Sequence, residues 1–152
     1  MKIYIAADHR GHTYKVELIQ KLREKHIDIV DVWDHPLDPI DDDPDAAHAV
    51  VAVMKKDPLD SIGVVICGSG VGVSITANRY TGIYCVLGHT LKQVEHGRVW
   101  DHANILALGS DFTPIDDALA FIMAMIQSKP GSEERMVRRV EKMDSVATQY
   151  TI

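Results

Sequence analysis

Apolar residues fall into two alternating patterns along this chain. Short unbroken runs occur at Ile3-Tyr4-Ile5-Ala6-Ala7, Ile27 to Val32, Ile62-Gly63-Val64-Val65-Ile66-Cys67, Ile83 to Leu87 and Ile105 to Leu108. Runs of this length predict strands buried on both faces. Between them the apolar positions return at helical intervals. Tyr14, Leu18, Ile19 and Leu22 do so with Lys15, Glu17, Lys21 and Arg23 interspersed, which predicts an amphipathic helix from Thr13 to near His26. The same reading predicts helices from Ala46 to Lys56, ended by Asp57-Pro58, from Val73 to Arg79, and from Leu91 to about Arg98. Ile115, Leu119, Ile122, Met123 and Ile126 share one face of a further helix. Pro130-Gly131 then separates it from a charged last helix that begins near Ser132, with Glu133 and Glu134 in its first turn. From Asp34 to Pro44 aspartate and proline dominate, and a loop of about ten residues is expected.

Five strand-helix units without a repeat predict a three-layer α/β architecture: a doubly wound, parallel five-stranded sheet with helices on both faces and an extended C-terminal helix. A single domain spanning residues 1–152 is expected, since a chain of 152 residues can build one core. In such sheets ligands bind beyond the carboxyl ends of the strands. Those ends fall at Asp8, the acidic loop, Cys67 and Gly109.

Composition narrows the function. With 16 basic and 22 acidic residues the net charge is −6, and the basic residues form no continuous cluster, so nucleic acid is not an expected partner. The two cysteines, Cys67 and Cys85, are too few for a disulfide framework. The apolar start MKIYIAAD is too short for a signal peptide or a membrane span, so no membrane association and a cytoplasmic location are expected.

The most informative stretch is Cys67 followed by Gly68-Ser69-Gly70-Val71-Gly72. A thiol at a strand end beside a helix N-terminus faces amides that favour its thiolate, and glycines at alternate positions let those amides converge on an anion. The spacing does not match the dinucleotide fingerprint, and Val73 stands where a cysteine-x5-arginine phosphatase loop needs arginine. A buried cysteine beside a tight turn is the plainer alternative. Cys85, mid-strand, is given no role. Asp8 could bind hydroxyls or cap the following helix. His9 and His12 with Asp8 could suggest a metal, but no third histidine or cysteine follows at ligand spacing, the aspartates from Asp38 to Asp45 lack the pattern of a calcium loop, and neither metal nor cofactor is expected. Arg135 and Arg139, one turn apart, could clamp a phosphate with Arg138 or could form a solvated face paired with Glu134 and Glu141.

Taken together, Asp8-His9-Arg10-Gly11, Asp43-Pro44-Asp45, ICGSGVGVSITA from Ile66 to Ala77 with Asn78-Arg79, Ala103 to Gly109, and Arg135 with Arg139 resemble the ribose-5-phosphate isomerase B / galactose-6-phosphate isomerase family over essentially the whole chain. The resemblance implies a Rossmann-like or flavodoxin-like fold without a dinucleotide, and a homodimer or tetramer with active sites shared between subunits. It implies aldose-ketose isomerisation of a sugar phosphate, by default ribose 5-phosphate, through a cis-enediol with no metal. Cys67 would be the base, and Ser69 with the amides of Gly68, Gly70, Val71, Gly72 and Val73 would hold the enediolate. Asp8 would contact sugar hydroxyls, and His9, Arg135 and Arg139 would bind the phosphate, the arginines reaching in from the neighbouring subunit.

Some positions depart from the family's pattern. Where its ribose 5-phosphate members carry a histidine and an asparagine, this chain has Trp100 and Asp101, and an indole donates a hydrogen bond but shuttles no proton. His102, Asp101 or His9 would then open the ring, or the open-chain sugar would be the substrate, or ring opening would be lost. Asp111 stands at the position of a phosphate-binding arginine, and Asp43 at that of an aromatic residue. These changes imply an altered substrate, such as another hexose phosphate or a free sugar. The alternative from another class is a non-catalytic sugar-phosphate binding protein.

Overall fold

The computed structural model describes residues 1–56 and 61–149, so the helix break expected at Asp57-Pro58 lies outside the described residues. Five parallel strands form one sheet: β1 (Lys2–Ala7), β2 (Ile29–Asp31), β3 (Ser61–Cys67), β4 (Cys85–Leu87) and β5 (Ile105–Gly109). Their order is β2-β1-β3-β5-β4. This is the expected doubly wound sheet, with its last two strands exchanged relative to the flavodoxin order. The helices are α1 (His12–Glu24), α2 (Asp43–Met54), α3 (Val71–Ala77), α4 (Leu91–Trp100), α5 (Ile115–Gln127) and α6 (Glu134–Gln149).

Right-handed crossovers assign the helices to faces. The connections that step toward β2, and from β4 back to β5, put α1 and α4 on one face, where α5 joins them. Ile3, Ile5, Leu18, Leu22, Ile62, Ile66, Leu106, Leu108, Val94, Ile122 and Met125 form that core. On the other face α2 and α3 cover Tyr4, Ala6, Val65, Cys67, Ile105 and Ala107, through Ala46, Val50, Val51 and Val73. Side chains alternate between the two faces along every strand, so both cores draw on the same apolar runs. Each fully buried isoleucine or leucine contributes about 1.5–3 kcal/mol.

Boundaries shift where local chemistry outweighs the pattern. α2 begins at Asp43, earlier than the expected Ala46, because Pro44 sits in its first turn, where no N–H is required, and Asp43 and Asp45 favour the positive end of the helix. β2 and β4 are shorter than their apolar runs because each is an edge strand paired on one side only. Lys15 of α1 is fully buried, and its Nζ lies 2.7 Å from Asp31 and donates to the Trp33 carbonyl at 2.9 Å, anchoring the end of β2. Among the described residues no helix is long and apolar enough to cross a membrane.

Candidate active site

The chain winds outward from β1 to β2 and then returns to place β3 on the other side of β1. Such a reversal leaves a crevice between the carboxyl ends of the two central strands. A cleft of about 360 Å³ opens there. Cys67, Gly68 and Ser69 from the end of β3 line it together with Gly72 from α3. Asp8 and Asp43 complete its interior, and Arg10 and Asp111 stand at the rim. A larger hollow of about 570 Å³ lies on the outer side of α1, beside Val16, Ile19 and Arg23, but it contains no nucleophile. The smaller cleft, which holds the thiol at the winding reversal, is the candidate site.

Cys67 is 5% exposed, and its Sγ accepts the Gly70 N–H at 3.1 Å. Gly70 makes this contact with φ of +77°, in the left-handed region. A β-carbon there would also crowd Leu87 and the Leu108–Gly109 backbone within 3 Å, so only glycine serves. Ser69 Oγ accepts the Val71 N–H at 3.2 Å and so shapes the start of α3. The first-turn amides of Gly72 and Val73 have no carbonyl one turn back to bond. The Val73 side chain is fully buried in the α2/α3 core, which leaves only its amide to face a ligand.

Asp8, 4% exposed, accepts the Gly11 N–H at 2.9 Å, so the capping and the cleft-lining readings both apply to it. Burial holds its carboxyl above the usual aspartate value, a larger effect than the opposing hydrogen bond from Gly11. His9 turns toward Asp41 in the β2–α2 loop. Its Nδ1 lies 2.7 Å from Asp41 Oδ1, and its backbone N–H donates to the same oxygen at 2.9 Å. That hydrogen bond raises the imidazole pKa and favours the imidazolium. Asp43 packs on Gly72, where any β-carbon would overlap its carboxylate, and its Oδ2 is buried without a hydrogen-bond partner.

The remaining expected residues lie elsewhere in the subunit. Asp101 and His102 immediately precede β5, at the amino end of the sheet, whereas Cys67 closes β3 at the carboxyl end. His102 has φ of +57° and its Nε2 lies 2.8 Å from the Gly131 carbonyl oxygen. Asp101 lines a separate hollow with Asn78, Tyr84 and Met143. The Arg135 guanidinium lies 4.8 Å from the Trp100 ring centroid and pairs with Glu133 at 2.8 Å. Trp100 also stacks on His96, at 5.5 Å and 12°. Arg139 is exposed one turn further along α6. Asp8, Cys67, Gly68, Ser69 and Gly72 thus meet in one cleft, while Asp101, His102, Arg135 and Arg139 do not reach it within the same subunit.

Comparison with known proteins gives the family. The family described as Ribose/Galactose Isomerase matches residues 3–143. The chain belongs to the ribose/galactose isomerase family. A probable ribose-5-phosphate isomerase B of Mycoplasma pneumoniae is 35% identical over 127 residues, covering 84% of this chain and 83% of its own. The ribose-5-phosphate isomerase B of Mycobacterium tuberculosis is 28% identical over 141 residues, covering 93% and 86%. Among solved structures, ribose-5-phosphate isomerase B from Mycoplasma genitalium with bound ribulose-5-phosphate superposes with a TM-score of 0.89 at 31% identity, over 98% of this chain and 97% of that one. The Clostridium thermocellum enzyme gives 0.90 at 30% identity, over 99% and 100%.

For a ribose/galactose isomerase, the charges of this cleft include one feature the sequence reading passed over. Arg10, which entered only as part of a motif, is the sole cation among its described lining residues, against the carboxylates of Asp8, Asp43 and Asp111. Its position three residues beyond a strand end was the available signal.

Proposed function

We propose that this aldose-ketose isomerase interconverts ribose 5-phosphate and ribulose 5-phosphate through a cis-enediol, with Cys67 as the base. The observation that supports it most is the position of Cys67: at the bottom of the switch-point cleft, beside the amides that open α3. In the open-chain aldose the Cys67 thiolate takes the proton from C2. The C2–H electrons form the C1–C2 double bond, and the carbonyl π electrons move to O1, where charge develops. Amide N–H groups of the Gly68–Val73 turn and the Ser69 hydroxyl stabilise that oxygen. O1 is protonated to give the enediol. Loss of the O2 proton then restores a carbonyl at C2, while the proton held on Cys67 passes to C1. Asp8 accepts hydrogen bonds from substrate hydroxyls.

The site requires two subunits in this reading, in a dimer or tetramer. Asp101, His102, Arg135 and Arg139 act in the cleft of a neighbouring subunit, the arginines and His9 on the phosphate, and His102 in the proton transfer of ring opening. Because Asp41 stabilises the charged form of His9, phosphate affinity is full at low pH and declines as pH rises through the raised imidazole pKa. A pH series of KM is expected to rise on the alkaline side of that pKa, and Asp41→Asn to move the rise to lower pH. A KM whose pH profile ignores the Asp41 substitution would remove His9 from the phosphate site.

The activity itself is tested by proton NMR in D2O, with a panel of aldose and ketose phosphates and the free sugars. Deuterium is expected to enter C1 or C2 of ribose 5-phosphate and its ketose. Exchange in another sugar alone would reassign the substrate, and no exchange across the panel would overturn the proposal.

A further inference from the structure

The rim of the cleft carries a charge arrangement that the isomerase chemistry above does not use. Arg10, three residues past the end of β1, places Nη2 2.5 Å from Asp111 Oδ2, a residue two positions past the end of β5. The pair lies directly over the turn that carries Cys67. A β-carbon on Gly68 would meet Arg10 Nε at 2.5 Å and Asp111 Oδ2 at 3.1 Å, so the two side chains as placed occupy the space that glycine leaves open. Asp111 is itself held in place by backbone. Its N–H donates to the Gly68 carbonyl at 3.0 Å, and that of Ser110 to the Cys67 carbonyl at 2.9 Å. Ser110 Oγ donates to the Arg10 carbonyl at 3.1 Å. Three strand ends are thereby tied into one rim.

A guanidinium gripped through one nitrogen still has donors left. Arg10 Nε and Nη1 make no hydrogen bond among the described residues. The planar fork suits phosphate oxygens, and its orientation is already fixed by Asp111. A sugar phosphate entering this cleft meets the carboxylates of Asp8, Asp43 and Asp111, and Arg10 is the subunit's one opposing charge among the lining residues. Without Arg10, Asp111 would present a bare carboxylate to the anion.

We propose that Arg10, oriented by Asp111, is a phosphate-binding residue contributed by the same subunit as Cys67, and that Asp111 is its positioning residue. The inference rests on the sugar-phosphate reading of this cleft. It reconciles an acidic residue at position 111 with an anionic substrate: the negative charge there orients a cation in place of repelling the ligand.

The plainer possibility is that the pair staples two loops. Both side chains are about half exposed, at 56% and 43%, and exposed ion pairs contribute little to stability. The test compares the wild type with Arg10→Gln, Arg10→Lys and the double variant Arg10→Gln/Asp111→Asn. Three quantities are read: KM and kcat for ribose 5-phosphate, the Kd of inorganic phosphate by calorimetry, and the thermal midpoint. Arg10→Gln is expected to raise KM and the phosphate Kd together, by roughly ten- to a hundredfold, with a much smaller fall in kcat. Arg10→Lys should recover only part of the loss, since a point charge lacks the fork. Adding Asp111→Asn to Arg10→Gln should improve phosphate binding by about threefold or more, because it removes the exposed carboxylate. A staple predicts the reverse pattern: a lowered midpoint with KM and phosphate Kd unchanged, which would overturn the proposal. So would a wild type that does not bind phosphate. If ribose 5-phosphate is not turned over while phosphate binds and responds to Arg10→Gln, the substrate assignment fails and the Arg10 site stands.

Discussion

Replacing Cys67 with alanine is expected to lower kcat by at least about a thousandfold in a protein that still folds. The fold survives because little is lost: one N–H···S hydrogen bond from Gly70 and the volume of one sulfur atom at the end of β3. A small deletion of that kind costs about 1–2 kcal/mol, against a typical domain stability of roughly 5–15 kcal/mol. Circular dichroism should therefore show an unchanged spectrum and a melting point lowered by a few degrees. Turnover collapses because no other lining group can take over the sulfur's position. Asp8 is committed to the Gly11 N–H, and Asp43 lies against Gly72. Cys67→Ser, which keeps a hydrogen-bonding atom but offers a hydroxyl of much higher pKa, should be nearly as inactive. Cys85 is the internal control: burial pushes its thiol up to about 12, and Cys85→Ala should leave kcat within about twofold of the wild type. Activity in Cys67→Ala within tenfold of the wild type would remove Cys67 as the base.

Why the sequence exposed this site so readily follows from the physics of parallel sheets. Strands buried on both faces must be continuously apolar, so the first polar or glycine residue marks where the strand leaves the sheet. Asp8 and Cys67 stand at such exits, and the fold brings these exits together at the winding reversal. Strand order was not legible, because no local pattern says that β5 will insert between β3 and β4. Edge strands were overestimated for a related reason. Ile27 to Val32 and Ile83 to Leu87 are apolar enough for central strands, but one-sided pairing sustains only Ile29–Asp31 and Cys85–Leu87. The start of α2 was misjudged because proline and aspartate signal a loop in one context and a helix N-terminus in another. The pairing of Arg10 with Asp111 was hidden for a different reason. Their meaning lies in a contact between residues 101 positions apart, and neither residue type is distinctive alone.

Mixing two inactive variants is expected to restore activity, and this is the result that bears most directly on a site shared between subunits. The geometry motivates it. Cys67 closes β3, while Asp101 and His102 precede β5 and Arg135 packs on Trp100, so the two groups lie at opposite ends of the sheet. Strands of this length separate those ends by about 15 Å or more, too far for one ligand to be held by both groups of a single chain. In a twofold dimer each cleft would face the partner's second group, giving two equivalent sites. Cys67→Ala chains lack the base, and Arg135→Ala/Arg139→Ala chains lack the partner's phosphate clamp, so each homodimer should be nearly inactive at low substrate. A heterodimer contains one site with both defects and one with neither. Equal mixing under conditions that allow exchange makes about half of the dimers heterodimeric, so activity should return to about one quarter of the wild-type value. Light scattering on the same samples should report a dimer or larger. If every site were complete within one chain, the mixture would show only the mean of the two variants' residual rates, and the arginines would have to act from α6 of the same subunit. That outcome would require α6 to move from its place beside Trp100 and Tyr84, where Asp144 now accepts the Tyr84 hydroxyl at 2.6 Å.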